Sequence, residues 1–258
     1  MKIQSIFFKG IIIAALIFSS CASKKNIIYF QDAGDFETIV NDDSFVNKFK
    51  VDDVVGINIS TLDPLASSPF NLFIGAPGSN AKPEQLDYII DRNGEIDFPV
   101  IGKIKIAGLS PDEVRQLLRN ELADFLKDPI INIRLKNFTV TVLGQVNRPG
   151  TYPVNGEQIS ILEALGLAGD LTIKGLRKNI LVIRDLNGVK VYNRIDLTSK
   201  DAGNSPVFYL TQNDVVYVEP NQSAVSSSSL DQRTSIGITI ASTLITTTVL
   251  LITRLGNN

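Results

Sequence analysis

The chain offers little to covalent chemistry. Among its 258 residues there is no histidine, so a Ser-His-Asp or Cys-His nucleophile system and a His-ligated metal site are out of reach. Neighbouring carboxylates occur at Asp42-Asp43 and Asp52-Asp53. Adjacent residues on a strand point to opposite faces, so neither pair can flank a glycosidic bond as the two carboxylates of a glycosidase do. They read as charges in a solvated loop or at a strand start, and neither catalysis nor a cofactor is expected. The remaining reactive side chain is Cys21, which is alone and therefore forms no intramolecular disulfide.

The surroundings of Cys21 explain it. In "MKIQSIFFKGIIIAALIFSSCASKK", Lys2 and Lys9 form a positive start, Ile11 to Phe18 an apolar stretch, and Ser19-Ser20 the small residues before the cysteine. This is the architecture of an export signal, too short for a spanning helix. The Phe-Ser-Ser-Cys end resembles the bacterial lipoprotein processing site, which implies lipidation at Cys21 after removal of residues 1–20. More than one acyl chain gives stable anchoring.

Acidic and basic residues number 27 and 25, so no global field recruits nucleic acid. Residues 21–45 are polar and read as a tether. From Lys50, Val55, Ile57 and Ile59 alternate with Gly56 and Asn58 as in a half-buried strand. Asn93-Gly94 carries the signature of a two-residue hairpin turn, predicting paired strands at Tyr88 to Ile90 and Ile96 to Phe98. A helix follows: Ser110 as N-cap, Pro111 in the first turn, Glu113 closing a capping box, and Val114, Leu117, Leu118, Leu122, Phe125 and Leu126 on one face until Asp128-Pro129. "PIINIRL" returns to strand.

A second unit begins near Phe138. "FTVTVLGQV" and "TYPV" read as strands about a turn, "SILEALGLAGD" as a helix with a capping box from Ser160 to Glu163 and a stop at Gly169, "NILVIRDLNGVKVYNRIDL" as a hairpin about Asn187-Gly188, and "DVVYVEP" as a last strand. This is an α+β unit with its helix laid on a sheet. A serine-rich linker, residues 222–234, precedes the terminal run.

That run, residues 235–255, holds six threonines and two serines. Strand alternation fails at Ala241-Ser242, whereas at about 100° per residue Ser235, Thr239, Ser242, Thr246 and Thr253 fall within an arc of roughly 60°. Thr243 and Thr247 widen the stripe, Ala241, Leu244, Leu251 and Leu255 lie opposite, and Thr248 and Leu250 break the pattern. Its length, about 31 Å at ~1.5 Å per residue, matches a hydrocarbon core of about 30 Å, so a transmembrane helix is expected. Three uses of the polar stripe stay open: packing against a neighbouring helix, facing water within a ring of helices, or, in a solitary anchor, hydroxyls that bond back to their own backbone.

Three stretches together resemble one family. "DRNGEIDFPVIGKIKIAGLSPDEVRQLLRNELADFLKDPIINIRL" is similar to the polysaccharide export domain, "VTVLGQVNRPGTYPVNGEQISILEALGLAGDL" to a ligand-binding β-grasp (SLBB) unit, and the Cys21 signal with the C-terminal helix completes the order found in Wza-like outer-membrane polysaccharide export proteins. The resemblance implies an α+β fold with a polysaccharide export domain (residues 46–137), one SLBB domain (138–221) and a single C-terminal amphipathic transmembrane helix. It further implies an outer-membrane lipoprotein with most of the chain periplasmic, assembled as a homo-oligomeric ring, commonly an octamer. Such a ring conducts capsular or exopolysaccharide and docks on an inner-membrane polysaccharide co-polymerase. On that reading Ser235, Thr239, Ser242, Thr246 and Thr253 line the pore. Longer members carry two β-grasp repeats where only one is legible here, which predicts a shorter periplasmic part. The rival reading is a periplasmic sugar-binding lipoprotein, but Tyr152, Tyr192, Tyr209 and Tyr217 are dispersed and form no stacking platform.

Overall fold

The computed structural model describes residues 27–35, 45–74, 84–186, 188–229 and 232–255. The signal peptide, Cys21, Asp42-Asp43 and Asn187 lie outside the described residues.

The first domain is built on the strand β1 (Val54–Ser60), whose Val55, Ile57 and Ile59 are buried on one face as the alternation requires. A short helix α1 (Pro64–Ser67), a 3-10 turn (Ser68–Phe70) and the small strands β2 (Phe73–Ile74) and β3 (Glu84–Gln85) follow. β4 (Tyr88–Ile89) lies antiparallel on one edge of β1 and β7 (Ile130–Leu135) on the other. Between these run a hairpin of β5 (Glu95–Phe98) and β6 (Gly102–Lys105) and the helix α2 (Pro111–Glu121). Val114, Leu118 and Leu122 are fully buried against Ile57, Ile96 and Ile106, each worth about 1.5–3 kcal/mol of transfer free energy.

The capping box of α2 is present in both directions. The Glu113 backbone N–H donates to Ser110 Oγ at 3.2 Å, and the Ser110 N–H donates to Glu113 Oε2 at 2.7 Å. The helix stops at Glu121, earlier than its apolar pattern suggests, because Leu122 caps it and Ala123 to Leu126 continue as turns. Phe125 is consequently exposed, reaching only the ring of Phe70 at 5.9 Å.

Asn93-Gly94 is a turn but not a hairpin, a correction to the sequence reading. The Asp91 carboxylate accepts from the Asn93 and Glu95 N–H groups at 2.8 and 2.9 Å, and backbone bonds from Gly94 N–H to the Asp91 carbonyl and from Asp91 N–H to the Glu95 carbonyl complete the turn. Its flanks pair elsewhere: Tyr88–Ile89 with β1, and Glu95–Phe98 with β6 across the Val100 turn. Gly94 is needed for a different reason, since its φ is +81° and a Cβ would sit 2.7 Å from that of Ala107.

The second domain is a five-stranded sheet in the order β12-β11-β14-β8-β9, with β8 (Thr139–Gly144), β9 (Gly150–Pro153), β11 (Ile180–Leu186), β12 (Val189–Ile195) and β14 (Val215–Val218). The last strand, β14, enters the middle of the sheet, parallel to β8 and antiparallel to β11. β10 (Ile159–Ser160) leads into α3 (Ile161–Leu167) and pairs with β13 (Tyr209–Leu210). Ser160 and Glu163 form the second capping box, and α3 buries Ile161, Ala164 and Leu165 against Val140, Val142 and Val216. The β11–β12 hairpin closes at Leu186 opposite Val189, with Gly188 at φ +85°.

Beyond Pro220 the serine-rich stretch is helical, α4 (Gln222–Ser229), followed by α5 (Gln232–Leu255).

Candidate functional site

α5 carries the hydroxyl stripe. It is a helix, as the 100° period demands, and each of its side chains described from Ile236 to Leu251 is exposed. The expected transmembrane helix is nevertheless corrected: among the described residues no helix is long and apolar enough to cross a membrane. α5 has 24 residues, about 36 Å at ~1.5 Å per residue, so length alone does not decide this. Within it Thr239, Ser242, Thr243, Thr246, Thr247 and Thr248 dilute the apolar content.

The hydroxyls are already engaged. Ser242 Oγ donates to the Thr239 carbonyl at 2.9 Å, Thr246 Oγ1 to Ser242 at 2.8 Å, and Thr253 Oγ1 to Val249 and Leu250 at 3.0 Å. Thr243, Thr247 and Thr248 do the same. Each proton is spent inside the helix, so the stripe presents mainly acceptor lone pairs outward. The Ser235 backbone belongs to α5, while its side chain lies outside the described residues. Ile238, Leu244, Ile245, Leu250 and Leu251 are 61–66 % exposed, an apolar surface that calls for a cover.

At the N-terminal end, the residues read as a tether are partly docked. Phe30 N–H donates to the Leu197 carbonyl and Gln31 N–H to that of Thr198, at 3.1 and 2.7 Å. Tyr29 donates its hydroxyl to Asp170, and the buried Arg177 guanidinium lies 5.2 Å from the Tyr29 ring centroid. Asp32 accepts from Ser199 Oγ and the Lys200 N–H. α4 leaves the same region: Asn221 binds the backbone of Ile173 and Lys174. No local pattern announces this docking, because its partners are distant in the chain.

The carboxylate pair that is described, Asp52-Asp53, lies in the turn before β1 with Asp52 exposed at φ +68°, but Asp53 is not solvated. It is buried, accepts from the Lys50 N–H at 2.8 Å, and burial raises its pKa. Its role is to hold the turn into β1. Tyr192 and Tyr217 lie exposed on β12 and β14, Tyr209 stacks on Phe45 at 5.6 Å, and Tyr152 binds the Arg148 carbonyl, so the tyrosines stay dispersed.

Sequence reading missed a cleft between the domains. It encloses about 570 Å³, within the usual range for ligand pockets. One wall is the outer face of β7, where Asn132 and Arg134 alternate with the buried Ile131 and Ile133, continued by Lys136 just past the strand. The other is the loop Val154 to Glu157 of the second domain. Two contacts bridge it: Asn47 Nδ2 to the Glu157 carbonyl at 2.6 Å, and Arg115 Nη2 to Glu157 Oε1 at 3.2 Å.

Residues 46–136 match the polysaccharide biosynthesis/export protein family, and residues 139–218 the SLBB domain. A polysaccharide export domain is thus followed directly by an SLBB domain. The chain is similar to the EPS I polysaccharide export outer membrane protein EpsA of Ralstonia solanacearum, 32% identical over 89 residues, covering 33% of this chain and 24% of the relative. The protein of the same name from Ralstonia nicotianae is 33% identical over 102 residues, covering 38% of this chain and 25% of the relative. The chain thus spans about a quarter of the length of the curated relatives it matches. Its two family matches coincide with its two hydrophobic cores, Phe49 to Leu135 and Phe138 to Val218.

Proposed function

We propose that the protein exports polysaccharide at the outer membrane, as a transport component rather than an enzyme. One observation carries this reading: an export domain joined directly to an SLBB domain, with about a third of matched positions identical to proteins named for outer-membrane polysaccharide export. The working unit is an oligomeric ring of identical subunits, an octamer by family resemblance. It is anchored in the outer membrane by acyl chains on Cys21, lies largely in the periplasm and receives capsular or exopolysaccharide from an inner-membrane co-polymerase.

In this assembly the exposed apolar residues of α5 supply contacts between copies. The stripe of Ser235, Thr239, Ser242, Thr246 and Thr253 faces the sugar chain. Its acceptor-rich, uncharged surface suits a polymer of hydroxyls that must be released as readily as it is held.

The test is genetic and biochemical. A strain lacking the gene is expected to lose surface polysaccharide and to regain it with the full chain. Detergent-extracted protein is expected to run as a ring-sized oligomer by mass photometry, and a fatty-acid probe to label the wild type but not Cys21→Ser. Unchanged export in the deletion strain sinks the export reading. A purely monomeric extract sinks the ring.

A further inference from the structure

We infer that the cleft between the two domains is a binding site for a carboxylated sugar segment of the exported chain, an inference that rests on the export reading above. Four cations line it, Lys48, Arg115, Arg134 and Lys136, against the single carboxylate of Glu157. This local excess stands out on a chain whose formal net charge is −2.

The cations are not equally engaged. Arg115 is held by Asp112 and Glu157, and Lys136 lies 3.9 Å from Asp87. Glu113, whose charge Lys48 also feels, has its Oε2 held by the Ser110 N–H in the capping box, which is the main cause of its lowered pKa. Arg134 and Lys48 enter no ion pair among the described residues.

A free guanidinium matches a carboxylate with two parallel N–H donors, and a nearby ammonium adds a second, less directional contact. Between the charges stand the side-chain amides of Asn132 and Asn155, each with a carbonyl acceptor and two N–H donors suited to sugar hydroxyls. A neutral hydroxyl pocket would need the amides alone, and a nucleic acid would call for a longer cationic track along its backbone than one cleft provides. The volume accommodates a few sugar rings rather than a small ion. The bound carboxylate also competes with Glu157 for Arg115, the ion pair that bridges the domains, so occupancy is coupled to how the cleft walls are held.

The experiment titrates the purified full chain with a galacturonic acid trimer by isothermal calorimetry. The controls are the same trimer with its carboxyls methyl-esterified and a hexaglutamate peptide. The acid trimer is expected to bind and the ester not. Binding is expected to weaken at least tenfold in Arg134→Ala/Lys48→Ala, about 1.4 kcal/mol, and to fall with added salt. Both side chains are exposed, so the double variant should melt like the wild type, whereas Lys127→Ala should bind normally. Equal binding of the ester, an unaffected double variant, or peptide binding as tight as the trimer's overturns the assignment, the last in favour of an acidic protein partner. Export is read separately by complementation. A chain that binds the trimer through these cations but does not restore export sinks the export reading alone. A chain that restores export while its trimer binding ignores them sinks the cleft alone.

Discussion

Arg184 on β11 and Asp214, just before β14, meet inside the SLBB domain with Nη2 2.7 Å from Oδ2 and side-chain exposures of 10% and 0%. Asp214 also accepts from the Thr211 N–H and hydroxyl, and Arg184 donates to the Tyr209 carbonyl. The pair fixes the loop that delivers β14 into the centre of the sheet. Removing one partner leaves a buried charge unpaired, so Asp214→Ala is expected to cost about 3–5 kcal/mol. Chemical denaturation should show a midpoint lowered to match, and a loss under 1 kcal/mol would exclude this role.

Tyr29 ties the segment following the Cys21 region to the SLBB domain. Burial and the Asp170 carboxylate raise its pKa well above the ordinary 10.0. A raised folded pKa contributes stability that is fully present below pH 10 and lost as pH rises through the folded value. The prediction is that amides of Phe30 and Gln31 are protected from hydrogen exchange at neutral pH, lose that protection above about pH 10, and lose it at all pH values in Tyr29→Ala. Protection that ignores both the variant and alkaline pH would dismiss the clasp.

Gly144 ends β8 with φ +89°, and a Cβ there would lie 2.1 Å from the Val218 carbonyl oxygen. The parallel pairing of Gly144 with Val218 allows no side chain at that point. Gly144→Ala is expected to destabilise the SLBB core by about 2 kcal/mol or more, combining left-handed strain with a displaced strand, whereas Gly166→Ala, with open space around it, should be neutral or slightly stabilising. Thermal melts of the two variants side by side decide it.

On α5, Leu244 and Leu251 are 62% and 61% exposed. Leu244→Lys/Leu251→Lys is expected to abolish the oligomer in detergent extracts while leaving the melting of both folded domains unchanged. Thr239→Val/Thr246→Val should keep the oligomer and lower the rate of polysaccharide release. An intact oligomer in the lysine variant would remove α5 from the subunit contacts.

Local signals were legible wherever the chain solves a problem within a few residues. Both capping boxes, at Ser110 and Ser160, occur as read, because cap and acceptor are three residues apart. The β11–β12 hairpin pairs Leu186 with Val189 around Gly188 for the same reason. Asn93-Gly94 misled because the same dipeptide serves any tight turn, and only the pairing of Tyr88 with distant Val55 and of Phe98 with Gly102 reveals that its flanks part. The spanning reading of α5 extended a correct helical period into a membrane crossing that the structure does not support.

The amino-acid sequence by itself determined the order of elements, the caps, the helical nature of residues 235–255 and the resemblance to polysaccharide export proteins, since each depends on spacing along one stretch of chain. Tertiary structure alone decided which strand occupies the centre of the SLBB sheet, that Tyr29 is clasped by Asp170 and Arg177 across more than 140 residues, and that cations at 48, 115, 134 and 136 share one cleft. Contacts of that range are set by the packing of two cores against each other, and no local pattern of residues encodes them.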